Sequence, residues 1–181
     1  MLWTNIRPST QPQDTPMGVA DVGVDLLPEM QELGIIRDIV FPDARLIKHG
    51  IPDWSGDNYT SGWDMVKLYG AMDVLLNCTS GEGFGMPLVE AQATGIPVIT
   101  TEYAGGSEQV GAGLTVPYYD YVLLNTPGTR YALPDIEKMA EALTKIYNAD
   151  REKLAKKARA FALRYDWDRV MSDYWQPFLA E

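Results

Sequence analysis

The sequence predicts an α/β protein with a largely parallel sheet, on three observations. Short apolar runs alternate with stretches of helical period, and Gly, Ser or Asp follows the runs, as strands feeding connected helices require. The chain of 181 residues is 46% hydrophobic and 22% charged, enough apolar material to bury the core of one domain of ordinary size.

Each element follows from its local pattern. Leu2 to Asn5 is the first candidate strand. Arg7 to Pro16 carries three prolines among Ser, Thr, Gln and Asp, and reads as an irregular, solvated loop. Leu26, Leu27, Met30 and Leu33 then recur at helical spacing before Gly34, which can end the helix. Ala44 to Lys48 is the next candidate strand, and Trp63, Val66, Leu68 and Met72 give a second, shorter helical stripe. Three further strands are expected at Asp73 to Cys78, Val98 to Thr101 and Gly113 to Val116. Tyr121 to Leu124 and Arg130 to Leu133 flank Asn125-Thr-Pro-Gly-Thr129, a β-hairpin pattern on which Tyr118, Tyr119 and Tyr121 read as core-packing aromatics, with a partner surface as the alternative. Two helical stripes close the chain: Ile136, Met139, Ala140, Leu143 and Ile146, then Leu154, Ala158, Phe161, Ala162 and Tyr165.

Charge and cysteine usage narrow the function classes. Lys and Arg total 15 against 25 Asp and Glu, giving a net charge of −10 and a pI near 4.5. That balance argues against nucleic acid or an anionic membrane surface as a partner. No apolar run approaches the roughly 20 residues of a membrane-spanning helix. The start Met1-Leu-Trp-Thr4 lacks the basic and apolar regions of a signal peptide, so a cytoplasmic location is expected. A single cysteine, Cys78, forbids an internal disulfide. With His49 the only histidine, the soft ligands of a structural zinc site, about four at short spacing, are not there.

One stretch carries chemistry, from Asp73 to Thr100. A strand runs into Ser80-Gly-Glu-Gly-Phe-Gly85, and Pro87 then sits where a first helical residue belongs. Gly81, Gly83 and Gly85 clear side chains from the backbone, so the N–H groups of Gly85, Met86 and Leu88 can receive an anion such as a diphosphate. Glu82 precedes the helix, and Glu90 is expected in its first turn. Carboxylates repel phosphate but accept hydrogen bonds from hydroxyls. The natural division gives the amides a diphosphate, one Glu a ribose diol and the other Glu sugar hydroxyls, which together describe a nucleotide sugar. On these residues alone a plainer reading stands beside it, with Glu90 complementing the helix dipole and Glu82 solvated. The glycine spacing departs from the dinucleotide fingerprint Gly-x-Gly-x-x-Gly.

The run Glu82-Gly-Phe-Gly-Met-Pro-Leu-Val-Glu90-Ala-Gln-Ala-Thr-Gly95-Ile-Pro-Val-Ile resembles the Glu-x7-Glu signature of glycosyltransferase family 4, retaining enzymes of the GT-B fold. Leu68-Tyr-Gly-Ala-Met-Asp73 resembles the helix-to-strand approach to that motif. Gly105-Gly-Ser-Glu108 is similar to the Gly-Gly-x-Glu turn that follows it, and Gly113-Leu-Thr-Val-Pro117 to the next strand. Trp167 sits where the family often has an aromatic closing helix. The resemblance covers roughly residues 40 to 175.

The resemblance implies a Rossmann-like three-layer α/β/α domain of the GT-B C-terminal type with a β-hairpin insertion. It implies one nucleotide-sugar-binding domain over residues 1–181: a truncated or degenerate part at 1–40, a donor-site core at 41–133 and C-terminal helices at 134–181. Glu82 is then the catalytic candidate against the transferred sugar. Gly83, Phe84, Gly85, Met86, Pro87 and Leu88 line the sugar and diphosphate, Glu90 binds the ribose, and Lys48 and His49 lie near the base. The family transfers a sugar from a nucleotide diphosphate with retention of configuration and without a bound metal, so no cofactor is expected. Its front-face and double-displacement routes both stay open. Asp166-Trp-Asp168 reads as a helix cap rather than a metal site. The donor domain's opening strand, with its Gly-Arg and nearby Lys, has no counterpart before Leu2. The expectation is therefore a chain needing an acceptor domain or another copy of itself in a homo-oligomer, with little activity alone. A non-catalytic nucleotide-sugar-binding or oligomerisation module is the competing reading.

Overall fold

The computed structural model describes residues 27–40, 65–123 and 128–180, and the backbone of short strands at 2–3, 13–14 and 20–21. The chain forms two compact units, Met1–Gly62 and Trp63–Glu181.

In the first unit, β1 (Leu2–Trp3) pairs in parallel with β4 (Ile39–Val40), Leu2 opposite Ile39 and Trp3 opposite Val40. Between them β2 (Gln13–Asp14) pairs antiparallel with β3 (Ala20–Asp21). The segment Arg7 to Pro16 is therefore not irregular throughout. Pro12 and Pro16 flank the pair rather than occupy it, which leaves Gln13 and Asp14 their N–H groups for pairing. Helix α1 (Leu27–Glu32) buries Met30, and Gly34 ends it at φ +69°, with Ile35 N–H returning to the Met30 carbonyl at 3.0 Å. The strand expected at Ala44 to Lys48, with Lys48 and His49, lies outside the described residues.

The second unit is built on a parallel sheet of β5 (Leu75–Asn77), β6 (Val98–Thr101) and β7 (Gly113–Val116), in that spatial order. Asn77 stands opposite Thr100, and Val98 opposite Gly113. The period-two alternation of β6 sends Val98 to one face and Ile99 to the other. Val98 packs with Tyr69 of α2 (Met65–Gly70), with Leu88 and Ala91 of α3 (Met86–Ala93), and with Ile96. Ile99 packs with Val116 and with Met139, Ala142 and Ile146 of α4 (Ile136–Tyr147). Helices thus cover both faces, and the expected Rossmann-like α/β arrangement is the one observed.

Gly113, at φ +134°, is fixed by the approach of β6, since a Cβ there would lie 1.8 Å from the Val98 carbonyl oxygen. Helix α5 (Arg151–Ala162) packs along α3, and Arg159 caps the C-terminal end of α3 through the Ala93 carbonyl. Asp135, Asp150 and Asp166 each cap a following helix, accepting from Lys138, Lys153 and Asp168 N–H at 3.0, 3.0 and 3.1 Å. Asp166 thus caps the short helix α6 (Trp167–Val170), which runs through a wider turn at Met171–Trp175 into α7 (Gln176–Leu179). The hairpin is longer than expected: β8 (Tyr118–Leu123) pairs antiparallel with β9 (Arg130–Pro134), with an irregular register between Tyr118 and Asp120. Residues 124–127 are outside the described set.

Candidate functional site

The loop between β5 and α3 is shaped by small residues and held from two sides. Thr79 Oγ1 closes a local turn on Gly81, donating to its carbonyl at 2.9 Å and accepting its N–H at 3.2 Å. Ser80 accepts a hydrogen bond from Ala132 N–H at 2.9 Å, which ties the hairpin to the loop. On the opposite side Gly105 N–H donates to the Glu82 carbonyl at 3.0 Å. A Cβ on Gly105 would lie 2.2 Å from the Gly83 carbonyl oxygen, so only glycine lets the two backbones meet. Gly106 lies against the Glu82 side chain, whose Cβ would be 3.3 Å from one built on that glycine. The backbone before Gly105 is bent hard, with Ala104 at φ 54°. Glu82 itself is half-buried, and Asn77 Nδ2 donates to its Oε1 at 3.4 Å, a long bond.

Gly85 turns the chain into the helix at φ +89°, where a side chain would be strained and its Cβ would stand 3.0 Å from Leu88 Cδ1. Because this left-handed residue is the cap, Met86 opens the helix and Pro87 is its second residue. Glu90 is consequently in the second turn, not the first as expected, where a helix-dipole role has little strength. Leu88 N–H is also not free, since it bonds the Gly85 carbonyl at 2.9 Å. The N–H groups of Gly83, Phe84, Gly85 and Met86 meet no partner among the described residues, so the open amide set starts earlier than expected.

Glu90 is half-buried, and Tyr69 Oη donates to its Oε2 at 2.9 Å. Tyr69 is 5% exposed, with its ring in the core beneath α3. Burial first, then the bond to Glu90 and its charge, push the Tyr69 hydroxyl above the ordinary tyrosine pKa. Two residues further along the helix, fully buried Gln92 spans to the segment after the Gly105–Gln109 turn. Its Nε2 donates to the Leu88 and Gln109 carbonyls at 2.9 and 2.6 Å, and its Oε1 accepts from Gly111 and Ala112 N–H at 2.8 Å each. Gln109 also accepts from the Tyr165 hydroxyl. Phe84, placed by sequence among the ligand-lining residues, meets Tyr165 edge to face at 5.6 Å and is 41% exposed. Its ring therefore braces the loop against the C-terminal segment while its backbone stays open.

An open groove of about 220 Å³ runs between α3 and residues 159–166, bordered by Glu90, Arg159, Tyr165 and Asp166. Glu82 and the loop amides lie outside it. Among the described residues no three His, Cys, Asp or Glu side chains gather closely enough to hold a metal ion, and no helix is long and apolar enough to cross a membrane. Tyr69, Asn77 and Gln92 are the supporting residues that pattern reading missed. Each is hidden from local pattern: Tyr69 lies beside an apolar stripe and not on it, Asn77 at a strand end, and Gln92 in a helix whose other buried residues are apolar.

Solved structures of glycosyltransferases share this fold. WaaG, a glycosyltransferase involved in lipopolysaccharide biosynthesis, matches with a TM-score of 0.50 at 23% identity over 78% of this chain and 30% of that one. Anabaena HepE, determined in complex with UDP and glucose, matches with a TM-score of 0.59 at 19% identity over 86% of this chain and 36% of that one. These likenesses define the fold as that of a GT-B glycosyltransferase C-terminal domain. Residues 58–161 match the family model described as glycosyl transferases group 1, more than half of the chain, and the chain belongs to that family.

Characterised relatives bear the same stamp. The D-inositol 3-phosphate glycosyltransferase of Corynebacterium urealyticum is 29% identical over 142 residues, which are 77% of this chain and 27% of the relative. Its namesake from Saccharomonospora viridis is 32% identical over 114 residues, 60% of this chain and 23% of the relative. The capsular polysaccharide biosynthesis glycosyltransferase CapM of Staphylococcus aureus is 30% identical over 125 residues, 65% of this chain and 30% of the relative. This chain thus spans less than a third of the length of each.

Proposed function

We propose that this chain is a donor-binding domain that holds a nucleotide-diphosphate sugar for retaining glycosyl transfer. One observation carries the reading. Within a member of glycosyl transferases group 1, Glu82 and Glu90 flank a helix N-terminus at which four consecutive N–H groups, Gly83 to Met86, have no partner among the described residues. Those amides receive the diphosphate, with Pro87 and Leu88 shaping the first turn behind them. Glu90 accepts from the ribose hydroxyls, and Glu82 stands at the sugar.

The chemistry asked of this half is electrostatic. As the bond between the anomeric carbon and the diphosphate breaks, charge grows on the leaving oxygen and helix-terminal amides stabilise it without a metal ion. The Glu82 carboxylate opposes the positive charge that develops on the sugar. It does so either as the nucleophile of a double displacement or beside a front-face ion pair. The acceptor is held by a further domain, on this or another polypeptide, and the isolated chain turns over weakly or not at all. The reducing cytoplasm is the compartment we assign, given one exposed cysteine and no disulfide partner for it.

Calorimetric titration of UDP, GDP and ADP, then of their sugars, tests the reading, and the UDP of the HepE complex makes UDP the first to try. Binding of one nucleotide is expected, weakened at least about tenfold by Glu90→Ala, the scale of one lost charge-assisted hydrogen bond. Glu82→Ala should leave the nucleotide affinity in place and remove the extra affinity of the nucleotide sugar. No binding of any nucleotide at millimolar concentration would overturn the proposal in favour of a non-catalytic module.

A further inference from the structure

We infer that Tyr69 is a positioning residue for the nucleotide, fixing the Glu90 carboxylate so that Oε1 is presented to the ribose diol. The inference rests on the donor reading above and deepens it. The Tyr69 ring cannot yield, because it is 5% exposed and packed among Leu88, Ala91, Ile96 and Val98. Its hydroxyl emerges from that core to donate to Glu90 Oε2 at 2.9 Å. No cation pairs with Glu90 among the described residues, and its Oε1 has no hydrogen-bond partner among them. One carboxylate oxygen is thus committed to the fold and the other is left to a ligand.

The arrangement has a thermodynamic consequence. A glutamate has three side-chain torsions, and ordering a free one on binding costs conformational entropy. The bond from Tyr69 meets that cost at folding instead, so a diol finds its acceptor already set. The tyrosine comes from α2, 21 residues earlier in the chain, and no contact of its own with the ligand is required. If Glu90 served only to satisfy a buried hydroxyl, removing that hydroxyl would change stability and leave ribose discrimination untouched.

The test compares the 181-residue chain with Tyr69→Phe by calorimetry, using UDP, GDP and ADP alongside their 2′,3′-dideoxy counterparts. The native chain is expected to prefer the ribonucleotide by at least about tenfold, and Tyr69→Phe to reduce that preference to about threefold or less with dideoxynucleotide affinity unchanged. A variant that keeps the native ratio overturns the inference alone. A native chain that binds no nucleotide overturns the donor reading, and one that binds both forms equally overturns the Glu90 assignment. Should the variant not fold, the native chain labelled at tyrosine Cζ gives the answer by NMR. The Tyr69 resonance is expected to shift with the ribonucleotide and stay in place with the dideoxy form, and a resonance that stays in place with both overturns the inference.

Discussion

Glu82 and Glu90 occupy the two ends of one motif but are held by opposite means. Glu82 is fixed through its backbone: Gly105 N–H grips its carbonyl, while among the described residues its side chain has only a 3.4 Å bond from Asn77. Glu90 is fixed through its side chain, by the hydroxyl of a buried tyrosine, on a helix that Gln92 pins to the segment beside it. The contrast suits the two tasks proposed for them. A group reading a fixed diol gains from a carboxylate ordered in advance, whereas the Glu82 carboxylate is left to be ordered when the sugar binds.

The largest effect should come from unpinning the helix that carries Glu90. Gln92→Leu would leave the part-buried Gly111 and buried Ala112 N–H groups without an acceptor, and a destabilisation of about 2–6 kcal/mol is expected from two such groups at about 1–3 each. Urea unfolding measures it. A loss below about 1 kcal/mol would mean that water replaces the amide and that the helix is not pinned this way. Gly105→Ala should separate the two glutamates. Its Cβ would sit 2.2 Å from the Gly83 carbonyl oxygen, so the Glu82 loop must move, at about 1–3 kcal/mol for an overpacked site. Because the Glu90 helix is held elsewhere, nucleotide binding should fall less than nucleotide-sugar binding in calorimetry. Equal losses for both ligands would show that the loop and the helix move as one.

How much of this was legible follows from the same contrast. Glycines that free the backbone announce themselves, so Gly81, Gly83 and Gly85 mark the turn between strand and helix from the sequence alone, while Gly105-Gly106 is marked only by the family resemblance. The parallel strands and the hairpin were equally plain, from apolar runs and an Asn-Thr-Pro-Gly turn. Side-chain partners across long separations were not. Nothing local to Tyr69 reveals that its hydroxyl reaches residue 90. With Pro87 as the helix start, the sequence puts Glu90 in the first turn, one position too early. A left-handed cap at Gly85 admits Met86 first and moves every later position along by one. Gln13 and Asp14 were hidden in a similar way, by the prolines that bound their strand.

The smallest predicted effect bears on the Glu90 half alone and needs no ligand. The pKa of Tyr69 lies above the ordinary tyrosine value, from burial first and the neighbouring Glu90 second, so at high pH the folded chain retains a proton that the unfolded chain has lost. Stability falls with pH wherever the folded state binds more protons. The contribution of this hydroxyl is therefore complete below about pH 10, the value of an unfolded tyrosine, and is lost as pH rises from there through the folded value. Tyr69→Phe cannot titrate, so the stability difference between the native chain and the variant should be constant from pH 7 to 9. Above about pH 10 it should shrink by up to about 1.4 kcal/mol per unit. Urea midpoints at pH 8, 9, 10 and 11 measure it, and subtracting the variant removes the shared titration of the other tyrosines and lysines. A difference that stays flat through pH 11 would mean that the hydroxyl is hydrated rather than committed to Glu90, and the rigid half of the comparison would be no more fixed than the mobile one.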